Sequence, residues 1–139
     1  MLGNTRRFAG DDARSSLALI NQAMRLSPRD PRSYTWLHYG SWCHWKLHEL
    51  EDMEATSRQS VGLFPGYPHS WIALTCALGL QGKEAEAREA GRMLRHLHPG
   101  FGAARFYNVA RRFYGHRFIG TVSTEYRALR AVLSRATSD

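Results

Sequence analysis

The chain has 139 residues, with 19 Lys and Arg against 12 Asp and Glu, a formal net charge of +7 and a pI near 10. Its 43% hydrophobic and 22% charged content is that of one folded domain, which excludes general disorder. No apolar run approaches the roughly 20 residues that cross a bilayer.

Met1-Leu-Gly-Asn-Thr-Arg-Arg has no apolar run after it and does not read as a secretory signal. The two cysteines, Cys43 and Cys76, form no dense framework, so a reduced, cytoplasmic protein is expected. The charge is unevenly placed. Residues 1–87 carry nine basic and nine acidic side chains, whereas residues 88–139 hold ten Arg against Glu89, Glu125 and Asp139.

Three segments punctuate the chain: Leu26-Ser-Pro-Arg-Asp-Pro31, Leu63-Phe-Pro-Gly-Tyr-Pro68 and Leu97-His-Pro-Gly-Phe-Gly102. Their first prolines, Pro28, Pro65 and Pro99, are spaced 37 and then 34 residues. Proline lacks the backbone N–H of a helix interior and turns its predecessor out of the α region, so helices stop here and restart. A second break falls inside each period, at His48-Glu49 and at Gln81-Gly82-Lys83. Gly82 is suited to a left-handed helix end.

In chain order the spacing predicts an arm over 1–12, then helices over 13–27, 31–47, 50–63, 69–80, 83–97, 102–114 and 122–134. Helix 13–27 has a one-sided stripe of Leu17, Ile20, Ala23 and Met24. Helices 31–47 and 69–80 are apolar on nearly all sides, and 50–63 and 83–97 are one-sided again. No segment alternates like a strand. The expected fold is all-α, a solenoid of antiparallel helix pairs with about seven helices, its all-round apolar members lying inside.

Over residues 68–99, Trp71 and Leu74, Gly82, Ala87 and Pro99 fall at the spacing of the 34-residue tetratricopeptide repeat, and the chain resembles that family. Residues 31–65 match less closely. Leu37, Ser41 and His44 take the first-helix positions, His48 stands for the turn Gly and Met53 for the Ala. Residues 13–28 resemble a second helix alone, 102–114 a first helix without its signature, and 122–134 a closing helix. The Leu-Ser-Pro-Arg-Asp-Pro phrasing and the 37-residue spacing also resemble the repeat tails of bacterial class III adenylate cyclases and winged-helix regulators. That narrower resemblance implies a regulatory or oligomerising segment of a longer bacterial protein.

The family resemblance implies a groove that takes a partner peptide or helix. The groove positions would be His38, Trp42, Trp45 and Lys46; then His69, Ile72, Cys76 and Leu80; then Phe106, Ala110, Phe113 and Tyr114. His38, Trp42 and Trp45 recur at i, i+4, i+7, one helical stripe. Burial between repeats is an equal reading for Trp42 and Trp45, while Trp71 is expected in the core. A missing first helix before residue 13 leaves an edge that self-association of copies or a short helix over 3–10 would cover equally well.

His44 and His48, at i, i+4, have the spacing of two ligands on one metal, but no third ligand follows, and no metal or cofactor is expected. The acidic run Glu49, Glu51, Asp52 and Glu54 is explained by a helix N-terminus. No phosphate loop, nucleophile elbow or zinc-protease helix is present, so the expected function is non-enzymatic protein–protein interaction. Arg105, Arg111, Arg112, Arg117, Arg127 and Arg130 form a basic edge interleaved with aromatics. It suits an acidic protein partner first and nucleic acid after that.

Overall fold

In the computed structural model, which describes residues 12–102 and 121–138, the chain forms helices α1 Asp12–Leu26, α2 Ser33–Lys46, α3 Leu50–Leu63, α4 Pro68–Leu80, α5 Glu84–Leu97 and α6 Thr121–Thr137. The described residues contain no strand. The all-helical expectation holds. Six helices are present among the described residues rather than about seven; of the expected 1–12 arm all but Asp12, which opens α1, lies outside them, as does the expected 102–114 helix from residue 103 on.

Consecutive helices pack on one another from α1 to α5, and α2 also meets α4. That is the contact pattern of stacked helix pairs, in which an inner helix touches its partner and the next inner helix. The two pairs share their turn geometry. His48 (φ 60°) and Gly82 (φ 79°) are both left-handed and stand 34 residues apart. A non-glycine residue in that region is strained, so His48 is held there by the packing of α2 on α3.

Equivalent positions are buried alike in the two pairs: Ser41 and Thr75, Met53 and Ala87, Ser57 and Gly91, Ser60 and Leu94. The uncharged α4, Pro-His-Ser-Trp-Ile-Ala-Leu-Thr-Cys-Ala-Leu-Gly-Leu, is the most enclosed helix, buried without a break from Ser70 to Leu78 except for a half-buried Trp71. Trp45, Met53, Ile72, Cys76, Leu94 and Phe101 join Leu129 and Leu133 of α6 in the main core. A Leu- or Trp-sized side chain buried in this way contributes about 2–3 kcal/mol.

Polar links tie the pairs together. The Ser60 hydroxyl donates to the Tyr34 carbonyl over 2.6 Å and lies 2.6 Å from the Ser70 hydroxyl, joining α2, α3 and α4. Ser60 has one proton and spends it on Tyr34, so Ser70 is the donor of the second bond. At the other end of the bundle, Glu54 of α3 accepts from Lys83 (2.8 Å), Arg58 (2.9 Å) and Gln81 (3.0 Å). Arg58 reaches on to Glu86 at 3.0 Å.

Helix α6 packs on both α4 and α5. Two glycines admit it. A Cβ on Gly79 would lie 2.7 Å from Val132 Cβ, and one on Gly91 would overlap the carbonyl of Ala136. Helix α6 is thus seated against both helices of the second pair.

Candidate functional site: an aromatic face on α2 and the α3–α4 loop

Tyr34, His38 and Trp42 recur every four residues along α2 and so project toward one side. The loop Phe64-Pro-Gly-Tyr67 and the start of α4 bring their own rings against that side. Tyr34 stacks on Phe64 with centroids 4.7 Å apart and meets the edge of Tyr67 at 5.0 Å. Tyr67 lies 5.6 Å from His38 and 5.2 Å from His69. His38 lies 5.8 Å from His69 and 6.5 Å from Trp42, and Trp42 lies 5.7 Å from Trp45. The result is a continuous row of rings from Phe64 to Trp45. The loop is anchored by the Trp71 indole, which donates to the Pro65 carbonyl at 2.7 Å.

The row is graded in depth. Phe64 and Tyr39 are 45% and 58% exposed, Tyr34, Tyr67 and Trp42 are half-buried, and His38 and Trp45 form the floor. His38 is 8% exposed, and its Nδ1 is buried without a hydrogen-bond partner among the described residues. Burial, with a smaller contribution from His69, lowers its pKa to about 4, so the ring is neutral at neutral pH. Burial, then His98, also lowers the pKa of His69. Burial raises the pKa of the Tyr67 hydroxyl. The face is therefore aromatic and uncharged. Lys46, at the far end of α2, is the one Lys, Arg, Asp or Glu within α2 and α4 together.

The expected groove residues divide between this face and the core. His38, Trp42 and His69 belong to the face, His38 as its floor and His69 as an exposed ring. Lys46 and Leu80 are half-buried at their helix ends, Leu80 against the core. Trp45, Ile72 and Cys76 are 7%, 4% and 0% exposed and are core residues, because α6 and α5 cover the stripe they occupy. Trp71 is half-buried against both core clusters rather than enclosed. Phe106, Ala110, Phe113 and Tyr114 lie outside the described residues, as do Arg105, Arg111, Arg112 and Arg117. Arg127 and Arg130 are exposed on α6. Tyr34, Tyr39, Phe64 and Tyr67 are face residues that helical spacing did not single out. The signal for two of them was present: Phe64 and Tyr67 are aromatics inside a proline turn, where a solvated loop would carry polar residues.

The His44–His48 pairing does not form. Helix α2 ends at Lys46 and the chain turns left-handed at His48, so the i, i+4 register is lost. His44 Nδ1 instead donates to Glu49 Oε1 at 3.0 Å. That bond, ahead of the Arg14 charge, holds the Glu49 carboxyl below its usual range. His44, Glu49 and Asp52 each bring one ligand atom within 4.8 Å of the others, the described trio with the spacing to hold a metal ion. Arg14 at 3.4 Å from Glu49 and the N-terminus of α3 both put positive potential at that spot, which opposes a cation.

Among the described residues no helix is long and apolar enough to cross a membrane. No family model matches the chain, and no curated protein matches it.

Proposed function

We propose that the chain is a non-enzymatic protein-interaction module of tetratricopeptide-repeat type, whose aromatic face on α2 and the α3–α4 loop receives an apolar peptide or helix. The observation that carries the reading is the row of half-exposed rings from Phe64 through Tyr34 and Tyr67 to Trp42, set on a floor of neutral His38. Tyr and Trp supply large contact area at low entropic cost and recur at binding hot spots. The helices that carry the face, α2 and α4, hold no Arg to orient an acidic segment, so the partner engages it through apolar and aromatic side chains.

The test uses Trp42→Ala and Tyr39→Ala against Trp45→Ala. The first two remove face residues and are expected to abolish capture of a partner while leaving the melting temperature within a few degrees of the parent. Trp45→Ala removes a core ring and is expected to lower the melt by the equivalent of about 3–5 kcal/mol. Partner capture unchanged in both face variants would overturn the reading.

A second reading rests on α1. Leu19 and Leu26 are 65% and 76% exposed there, at i, i+7, and Trp36 on the next helix, α2, is 38% exposed. This supports self-association through the N-terminal edge, the behaviour of a regulatory or oligomerising segment. Light scattering over a concentration series tests it, and a mass that stays at one chain throughout would sink it.

A further inference from the structure

The exposed surface of the described residues is segregated by chemistry. All six exposed large apolar side chains, Leu19, Leu26, Trp36, Tyr39, Leu63 and Phe64, fall in α1 to α3 and the loop after it. The surface of α5 and of the described part of α6 has none. It carries Arg instead. Arg88, Arg92 and Arg95 stand at i, i+4, i+7 on α5, all exposed, spanning about 10 Å of one helix face. On α6, Arg127, Arg130 and Arg135 are exposed as well. Arg88 and Arg135 line one shallow cleft between the two helices, so the tertiary packing joins Arg135 of α6 to the Arg row of α5 as a single ridge. Among the described residues the acids of α5 are Glu84 in the same cleft, Glu86, which pairs with Arg58, and Glu89, which pairs with Arg92.

A protein partner gains its affinity from buried apolar anchors surrounded by a polar rim. Among the described residues, this ridge offers guanidinium groups without an exposed large apolar anchor. Phosphates spaced along a polymer need no anchor, because neutralising them releases condensed counterions. Arg also presents two N–H groups to one phosphate, which Lys does not. We propose that the α5–α6 ridge binds the phosphate backbone of nucleic acid without reading its sequence. The surface is separate from the aromatic face, and the proposal does not depend on the function proposed for that face. Composition alone placed acidic proteins ahead of nucleic acid; among the described residues no exposed large apolar side chain stands on α5 or α6 beside these Arg residues, which favours nucleic acid.

The experiment measures anisotropy of a labelled random-sequence oligonucleotide, single-stranded and as duplex, across a salt series. The intact protein is compared with Arg88→Gln/Arg92→Gln/Arg95→Gln. A second triple variant, Arg14→Gln/Arg25→Gln/Arg29→Gln, removes the same charge from exposed positions on and just after α1. The ridge variant is expected to bind at least about tenfold more weakly at ~0.1 M salt, with the slope of log K against log salt reduced by about 2–3. The α1 variant is expected to bind within about twofold of the parent. Should the ridge variant melt early, Arg88→Gln/Arg135→Gln, the two residues that line the cleft, provides the same comparison. Three results would each overturn the proposal: equal losses in the two triple variants, binding with no salt dependence, or polyglutamate of matched charge binding as tightly as the oligonucleotide.

Discussion

The backbone carbonyl of Ala136 in α6 fills the space that a side chain at Gly91 of α5 would need. With Gly79 facing Val132 in the same way, the two glycines form the slot that seats α6 on α4 and α5. The helices meet almost backbone to backbone, and neither glycine is there for an unusual φ.

That relationship separates two substitutions of identical chemistry. Ala for Gly in a helix gains about 0.5–1 kcal/mol of propensity. At Gly62, in the last turn of α3 with nothing within 4 Å of a new Cβ, the gain is unopposed, and Gly62→Ala is expected to raise stability by about 0.5 kcal/mol. At Gly91 the methyl meets a fixed carbonyl. Overpacking of that kind costs about 1–3 kcal/mol, so Gly91→Ala is expected to lower the melting temperature. Thermal melts followed by circular dichroism give both signs, and a stabilised Gly91→Ala would show that α6 does not sit in this slot.

Glu54 predicts an acid-dependent loss. Hydrogen bonding to Lys83, ahead of Arg58 and Gln81, holds its carboxyl down at about 2. A folded pKa below the unfolded value means the stabilisation is complete above about 4.5 and is lost as pH falls toward 2. Glu54→Gln is expected to melt earlier than the parent at pH 7, by the equivalent of about 1 kcal/mol because its partners are half-exposed. The gap should close progressively below pH 4.5. A gap that persists unchanged at pH 2–3 would mean the charge of Glu54 is not what ties α3 to the α4–α5 turn.

His38 acts with the same slope through the opposite charge. Its pKa of about 4 against an ordinary 6.5 means that between these values the unfolded chain takes up a proton that the folded chain refuses. Stability therefore falls as pH drops from 6.5 to 4 and levels off below, by roughly 3 kcal/mol at full extent. His38→Phe, which keeps a ring among Tyr39, Trp42 and Tyr67, is expected to flatten the melting temperature over that window. Parallel pH profiles for parent and variant would show that His38 is protonated in the fold.

The two cysteines should differ in reactivity. Cys76 is fully enclosed, and burial raises its thiol pKa far above the reactive range. Cys43 is half-buried on α2, with a thiol raised more modestly by burial. An aromatic disulfide reagent is expected to titrate one thiol per folded chain, slowly, and the second after denaturant is added. Labelling of both at comparable rates in the fold would contradict the packing of α4.

Local physics made the helices legible. The proline turns and Gly82 mark where the backbone cannot continue a helix, and the ends of α1 to α5 fall within two residues of the spacing-based expectation, while α6 runs three residues further than expected. The 34-residue phase was legible too, since Leu37, His48 and Met53 stand where Trp71, Gly82 and Ala87 do. Helical spacing put Trp42 and Trp45 on one stripe but could not say what lies over it. Leu129 and Leu133, more than eighty residues further along the chain, join Trp45 in the main core and leave Trp42 at the rim. His44 paired with Glu49 instead of His48 because the register of α2 ended two residues before His48. Arg135 joins the Arg row of α5 only because Gly79 and Gly91 let α6 approach. Period and punctuation are properties of neighbours in sequence, and the sequence alone determined them. Which stripe is covered, which histidine finds a carboxylate and which charges become neighbours depend on contacts between distant segments, and those only the tertiary structure decided.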